Sequence, residues 1–356
     1  MNDAEAVVAA ISETPRRYGS DVWFDIEQYS RESYLRAADK LNNASADLLA
    51  VEHEYGIFGG EGGEYLLDLI DGVQLPVVTT LHTVVFEPNP QQKRIIQALG
   101  RKSAAITVMA DNSIPLLEQV YGLDASKIER IPHGVPRMDL PSRETLKKEM
   151  GLTERAVVST FGLLGPGKGL EYGIQAIKQA AEERGDILYF ILGQTHPMVK
   201  KQFGETYRSS LQNMVRELGL EHNVRFVNKY LTKEEIIRYL KLSDIYMTPY
   251  LGREQAVSGT LAYAVGYGRA IVSTPYVYAQ EMLADGRGLL ADFEDTDSLA
   301  RHISWLLENP EEKQRMEEKT QKLGAQMMWD RVARQYADVF ARACHKTVKN
   351  VTETLT

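Results

Sequence analysis

The stretch REQAVSGT, residues 253–260, puts a guanidinium, a carboxylate and the triplet Ser258-Gly259-Thr260 into one short segment. It follows the apolar run DIYMTPY (244–250) and precedes the helical run LAYAVG and the strand-like AIVS. A strand that ends in a polar loop and enters a helix through Ser-Gly-Thr aims a helix N-terminus at something. The unpaired amides of a first helical turn favour an anion. Beside the carboxylate of Glu254 and the charge of Arg253 they suit a phosphorylated sugar, with amides on phosphate and carboxylate on hydroxyls. The plain alternative is an ordinary N-cap, where Ser and Thr are common.

A second segment of the same kind is GLLGPGKG (162–169), which follows the apolar run AVVSTFG and opens a helical pattern. Its glycines, Gly165 among them, let backbone approach a ligand closely, and Lys168 adds a point charge. The spacing is not that of a P-loop, because Gly169 stands where Ser or Thr would be needed. A tight turn with a solvated lysine is the competing reading. Two such helix starts in one domain point to a diphosphate more strongly than either does alone.

Nearer the N-terminus, Glu52-His53-Glu54 end an apolar run and the glycine-rich YGIFGGEGG (55–63) follows, with Gly59 and Gly60 at its centre. His82 closes a second run, PVVTTLHTV. A lone histidine is more often structural, but a strand's carboxyl end favours function. Asp295-Thr296-Asp297 could bind a metal, yet it directly precedes a helical run, so acidic N-capping explains it. His196 lies in a loop after ILGQT and has no spacing that defines chemistry. No Cys/His metal spacing and no GxSxG elbow occurs.

The elements that position these residues can be read from the apolar runs. The chain has 356 residues, which suggests two domains, with 44% hydrophobic and 25% charged residues. A net charge of −8 gives no bulk footprint for nucleic acid. The single cysteine, Cys344, rules out an intrachain disulfide and fits a reducing compartment. No apolar run approaches the ~20 residues of a membrane span, and the first residues show no signal-peptide pattern. A cytoplasmic chain is expected, with a peripheral membrane position left open.

Short apolar runs separated by helical patterns predict parallel sheets covered on both faces. The runs 7–11, 21–26, 46–54, 76–84, 104–110 and 127–133 form a first α/β unit, and 134–144, with two prolines, reads as a linker. A second series follows at 156–162, 187–193, 223–228, 244–250, 270–275 and 288–293. The tail 297–345 reads as helical throughout, with a stripe of Trp329, Val332, Ala333, Tyr336, Val339 and Phe340. The expected fold class is α/β, with two doubly wound domains and ligands beyond the carboxyl ends of the strands, in the cleft between the domains.

Taken in order, PVVTTLHTV, KIERIPHGV, FGLLGPGKG and GYGRAIVSTPYVYAQEMLADGRGLLADFEDTDSLA resemble the motifs of the family 4 retaining glycosyltransferases. The resemblance covers nearly the whole chain. It implies the two-domain Rossmann-like GT-B fold, with an acceptor-side domain at 1–135, a donor-binding domain at 136–325 and a C-terminal helix (326–356) packing back on the first domain. It implies a nucleotide-sugar donor of UDP or GDP type, a glycan, lipid or small-molecule acceptor, retention of anomeric configuration, and neither cofactor nor metal. By position, Lys168 and Gly165 contact donor phosphates, Glu254 holds sugar hydroxyls, and Ser258, Gly259 and Thr260 present amides or hydroxyls to the diphosphate. Arg253 and Glu281 fall on the donor side, Glu52, His53, Gly59 and Gly60 on the acceptor side, and His82 contacts the transferred sugar or the acceptor.

Three departures accompany the resemblance. Leu163 stands where the family has arginine, with Arg253 as the candidate replacement. Ala262 stands at the second glutamate of the family's E-x7-E motif; one residue later in register, Gln255 and Tyr263 occupy the two places. The family's first strand and Gly-rich loop are expected to be absent, which shortens the N-terminal domain and leaves a sheet edge that homo-oligomerisation could cover. Two rival functions fit the same pattern: a GT-B epimerase or phosphorylase, and a degenerate nucleotide-sugar-binding protein with little or no catalysis.

Overall fold

The computed structural model describes residues 5–14 and 16–354, with side chains described as far as residue 345. The chain divides into two compact units, Met1–Pro132 with Val332–Thr356, and His133–Arg331.

In the first unit, β1 (Val8–Ser12) and β2 (Val22–Glu27) pair in parallel as a two-stranded sheet, with Ile11 opposite Ile26. Helix α1 (Arg31–Asn42) follows. A separate four-stranded parallel sheet runs in chain order: β3 (Leu49–His53), β4 (Val77–Leu81), β5 (Ala105–Val108) and β6 (Ile128–Arg130). Its connections carry α2 (Tyr65–Gly72), α3 (Pro90–Lys102) and α4 (Ser113–Gln119). The single α/β sheet expected over 1–135 is therefore split. Every residue of β4 and β5 is buried, whereas β1 and β2 are half-exposed. Strands buried on both faces need continuous apolar sequence, and VWFDIE does not supply it. Helix α3 starts at a capping box: the Asn89 side chain accepts from Gln92 N–H, the Gln92 side chain accepts from Asn89 N–H, and Pro90 is the first helical residue.

The second unit opens with the short α5 (Arg143–Glu149), capped by Ser142, so the expected linker gives way to helix before its last residue. A six-stranded parallel sheet follows, built from β7 (Ala156–Phe161), β8 (Ile187–Leu192), β9 (Val224–Val227), β10 (Ile245–Thr248), β11 (Ala270–Ser273) and β12 (Leu289–Leu290). The connections carry α6 (Leu170–Glu183), α7 (Pro197–Phe203), α8 (Thr206–Glu217), α9 (Lys233–Leu242), α10 (Gly259–Gly266) and α11 (Val277–Leu283). The strand order is β12-β11-β10-β7-β8-β9, the doubly wound order of a Rossmann sheet. AVVSTF and ILYFIL are buried at every position and form its centre.

The tail is three helices rather than one: α12 (Thr296–Glu308), α13 (Pro310–Gly324) and α14 (Trp329–Thr354). Pro310 cannot continue α12, and Gly324 ends α13 where a Cβ would lie 2.3 Å from the Val265 carbonyl oxygen. Asp295 caps α12, accepting from Ser298 N–H at 2.8 Å. Val332, Val339 and Ala343 of α14 are buried in the first unit with Tyr336 and Phe340 packed beside them. The expected stripe is wrong at its start. Ala333 is exposed, and Trp329 remains 47% exposed, its indole lying where a Cβ on Gly134 would come within 2.4 Å.

Candidate functional site

The second unit's sheet reverses its winding between β7 and β10, since the chain runs from β7 to β9 on one side and crosses to β10 on the other. Loops at the carboxyl ends part at such a point and leave room for a ligand. The two loops that part here are 162–169 and 249–258, which contain both helix starts singled out from sequence. Leu251 N–H donates to the Gly167 carbonyl at 3.0 Å, so the loops are tied to each other.

Two glycines seat loop 162–169, one against loop 249–258 and one against the loop that follows β8. Gly169 has φ +55, and a Cβ there would lie 2.0 Å from the Pro249 carbonyl oxygen. Gly193, just past β8, has φ +128, and a Cβ there would lie 1.9 Å from the Gly162 carbonyl oxygen. Only glycine tolerates both the backbone conformation and the contact.

Lys168 ends a single 3-10 turn, Pro166–Lys168. Its ammonium lies 3.8 Å from the ring centroid of Tyr250, over the aromatic face. Tyr250 is fully buried, stacks on Tyr276 at 5.6 Å between centroids, and hydrogen-bonds the Thr260 hydroxyl at 2.8 Å. Burial pushes the Lys168 ammonium down to about 8, the direction expected of a cation short of solvent. Lys168 is thus a half-buried lysine on an aromatic platform at a switch point rather than a freely solvated one.

At α10 the Ser258 hydroxyl accepts from Leu261 N–H at 3.3 Å and approaches the Thr260 hydroxyl at 3.2 Å. Both hydroxyls are thus held within the protein, and what this helix offers outward is backbone. By helix geometry the amides of Gly259 and Thr260 have no carbonyl of their own helix to pair with. The start of α6 differs: Leu170 N–H donates to the Tyr207 hydroxyl at 3.3 Å, and that hydroxyl donates to Glu171 at 2.7 Å. Loop 162–169 therefore contributes Lys168 more than a helix end.

Glu254 is exposed on the loop before α10. Arg253 places its guanidinium over Phe293, 4.1 Å from the ring centroid, beyond the edge strand β12. Glu281 is half-buried on α11, and its carbonyl accepts from Arg287 at 3.1 Å. His196 caps α7, accepting from Met198 N–H at 3.2 Å.

Two residues of this region escaped the sequence reading. Tyr250 was passed over as the end of a strand, although an aromatic directly after a strand's carboxyl end is a detectable signal. His133, the last residue of the apolar run 127–133, lies beside α10: its Nε2 would be 3.2 Å from a Cβ on Gly259. Its Nδ1 is 2.9 Å from the Gly134 carbonyl, and its ring meets Tyr263 edge-on at 6.2 Å.

In the first unit, parallel pairing of β3 and β4 sets Glu52 opposite Thr80, and His82 N–H donates to the His53 carbonyl at 3.0 Å. The Glu52 carboxylate reaches His82 Nε2 at 2.7 Å and accepts from the Thr80 hydroxyl at 3.3 Å. Glu52 and His82 are thus brought together on an accessible surface. His53 is not part of that surface. It is fully buried, stacked on Phe58 at 5.9 Å, with neither ring nitrogen hydrogen-bonded. Gly59 is buried, its N–H donates to the Tyr34 hydroxyl at 3.0 Å, and a Cβ there would lie 1.8 Å from the Gln28 carbonyl oxygen. Gly60 is exposed at φ +82, beside Tyr65.

His53 yields a stability prediction. Burial, reinforced by His82, lowers its imidazole from 6.5 to about 4. Between these values the unfolded chain binds a proton that the native chain refuses. Stability is therefore complete above about 6.5 and falls as pH drops towards 4, by about 3 kcal/mol. Urea titrations at pH 7 and pH 4.5 should show a smaller acid loss in His53→Phe than in the wild type; equal losses would remove His53 as the cause.

The fold and this site define a GT-B glycosyltransferase. A family model described as glycosyl transferases group 1 matches residues 142–323, just over half of the chain, and the chain belongs to that family. It is 25% identical over 315 residues to a D-inositol 3-phosphate glycosyltransferase of Corynebacterium efficiens, covering 82% of this chain and 70% of that one. It is 23% identical to an alpha-D-kanosaminyltransferase of Streptomyces kanamyceticus, over 73% of this chain and 68% of that one. Among solved structures, Anabaena HepE in complex with UDP and glucose superposes with a TM-score of 0.71 at 18% identity, covering 87% and 81% of the two chains. A glycosyltransferase from Rickettsia africae gives 0.73 at 14%, over 94% and 89%. Among the described residues no helix is long and apolar enough to cross a membrane.

Proposed function

We propose that this glycosyltransferase moves a hexose from a uridine or guanosine diphosphate sugar to an acceptor hydroxyl, with retention and without a metal ion. The observation that carries the donor site is Lys168, held at the switch point over the ring of Tyr250, whose hydroxyl in turn bonds Thr260 in the first turn of α10. As the glycosidic bond breaks, its electrons pass to the leaving diphosphate. Lys168 and the amides of Gly259 and Thr260 stabilise that charge electrostatically. The acceptor oxygen attacks from the same face of the sugar and gives its proton to the leaving phosphate. Glu254 holds sugar hydroxyls; Arg253, Gly165 and Glu281 complete the donor side; Glu52, His82 and Gly60 serve the acceptor side.

UDP is the first nucleotide to test, since HepE was solved with it. The names of the relatives acting on inositol phosphate and 2-deoxystreptamine favour a small polyhydroxylated acceptor. The reaction is tested by incubating the chain with UDP-glucose and a panel of such acceptors in EDTA and reading the product's anomeric proton coupling. An α-linked product supports retention; a β-linked product, or turnover only with added magnesium, overturns it.

Lys168 also sets a pH dependence. Free, it loses its proton as pH rises through about 8; a bound diphosphate favours the charged form and draws the proton back. UDP affinity should fall above pH 8, and binding near pH 8 should take up protons. Calorimetry in buffers of different ionisation enthalpy measures this directly, and a flat response between pH 7 and 9 would contradict it.

A further inference from the structure

At the amino ends of β10 and β11, opposite the switch-point loops, a second set of charged groups surrounds a surface cavity of about 560 Å³. Arg143, Arg269 and Lys313 line it, with Glu317, Glu318 and Gln314 on the α13 wall. Behind it Asp244, which precedes β10, serves three cations: Lys147 at 2.5 Å, Lys313 at 3.8 Å and Arg143 at 3.9 Å. Arg143 also pairs with Glu317, and its Nε is buried without a hydrogen-bond partner. Among the described residues Arg269 donates to carbonyls, those of Tyr267 (2.9 Å), Lys241 (3.3 Å) and Ser243 (3.4 Å). Glu318 is exposed and accepts from Gln314 at 3.0 Å.

Four cations thus face two enclosed carboxylates and one at the rim. Burial pushes the Arg269 guanidinium down to about 10 and lowers the Lys313 ammonium, and Arg143 acts in the same direction on both. The cations repel one another without full compensation. Buried charge is tolerated when paired, and the cavity lies where a counter-charge would complete the pairing. Its size is within the range of small-ligand sites, larger than a lone oxyanion needs.

We propose that this cavity binds the phosphate group of a small phosphate-bearing anion, at a place separate from the donor site. The test is thermal unfolding of the full chain in inorganic phosphate and in a hexose monophosphate, against chloride at matched ionic strength. A rise of about 2–4 °C is expected, retained in saturating UDP and in Lys168→Ala, and lost in Lys313→Gln. A larger rise with the monophosphate than with phosphate identifies a phosphomonoester; equal rises identify free phosphate. No rise, a rise abolished by UDP or by Lys168→Ala, or a rise that survives Lys313→Gln overturns the site. Should Lys313→Gln fail to fold, Glu318→Gln decides: removing the rim carboxylate should tighten phosphate about two- to five-fold, and unchanged affinity would refute the proposal. Failure here leaves the donor-site reading intact, because UDP is read separately.

Discussion

Lys168→Ala is expected to lower kcat/KM for sugar transfer by about 10²–10³-fold, the loss that follows removal of one preorganised partner of a developing negative charge. The effect should fall mainly on kcat, since the diphosphate carries more charge in the transition state than in the bound donor. The fold should survive. Lys168 is only half-buried, on a 3-10 turn, and its platform Tyr250 remains stacked on Tyr276 and bonded to Thr260 without it. Lys168→Arg should recover part of the rate because it restores charge at the ring face. Steady-state kinetics with circular dichroism spectra separates the outcomes: an unchanged rate in a folded Lys168→Ala chain would remove this residue from the mechanism.

The second large effect is structural. Gly193→Ala places a methyl group 1.9 Å from the Gly162 carbonyl oxygen at φ +128. Backbone strain and the clash together should destabilise the second unit by about 2–5 kcal/mol. The displaced oxygen lies at the head of loop 162–169, so UDP affinity should fall as well. Gly185→Ala is the matched control. It sits at an ordinary φ with nothing within 4 Å of the added carbon, and it should be neutral to within about 0.5 kcal/mol. Chemical denaturation of both variants, followed by UDP titration, measures the contrast. A Gly193→Ala chain as stable as Gly185→Ala would mean that the loop after β8 is not packed against Gly162 as described.

Much of the second unit was legible because its strands are continuous apolar runs. AVVSTF and ILYFIL could only be interior strands, and the polar segment after each marked a carboxyl end. The switch point itself was not legible, since strand order depends on which side of β7 the chain crosses to, and no local pattern encodes that. Side-chain commitments were also hidden. Ser258 and Thr260 could offer amides or hydroxyls by sequence, and nothing local showed that both hydroxyls bond within the protein or that Arg253 meets the face of Phe293, 40 residues later in the chain. Lys168 could be named from GPGKG, whereas its platform could not, because Tyr250 lies on a different loop. In the first unit, Glu52 and His82 were found separately, and the register of β3 against β4 joined them. The same strand put His53 inside, since alternate residues of a strand face opposite ways. The tail reads as helical throughout, but Asn309-Pro310, inside the polar run 308–315, is a helix boundary that the backbone obeys.

The most direct measurement is calorimetric titration of the full chain with UDP in EDTA, repeated with magnesium and in Lys168→Ala. The expected result is saturable binding that magnesium does not change and that weakens at least about ten-fold in the variant, with GDP run in parallel to fix the base. Binding that requires magnesium, or that is equally tight without the lysine, would contradict a donor site built on Lys168 and the start of α10.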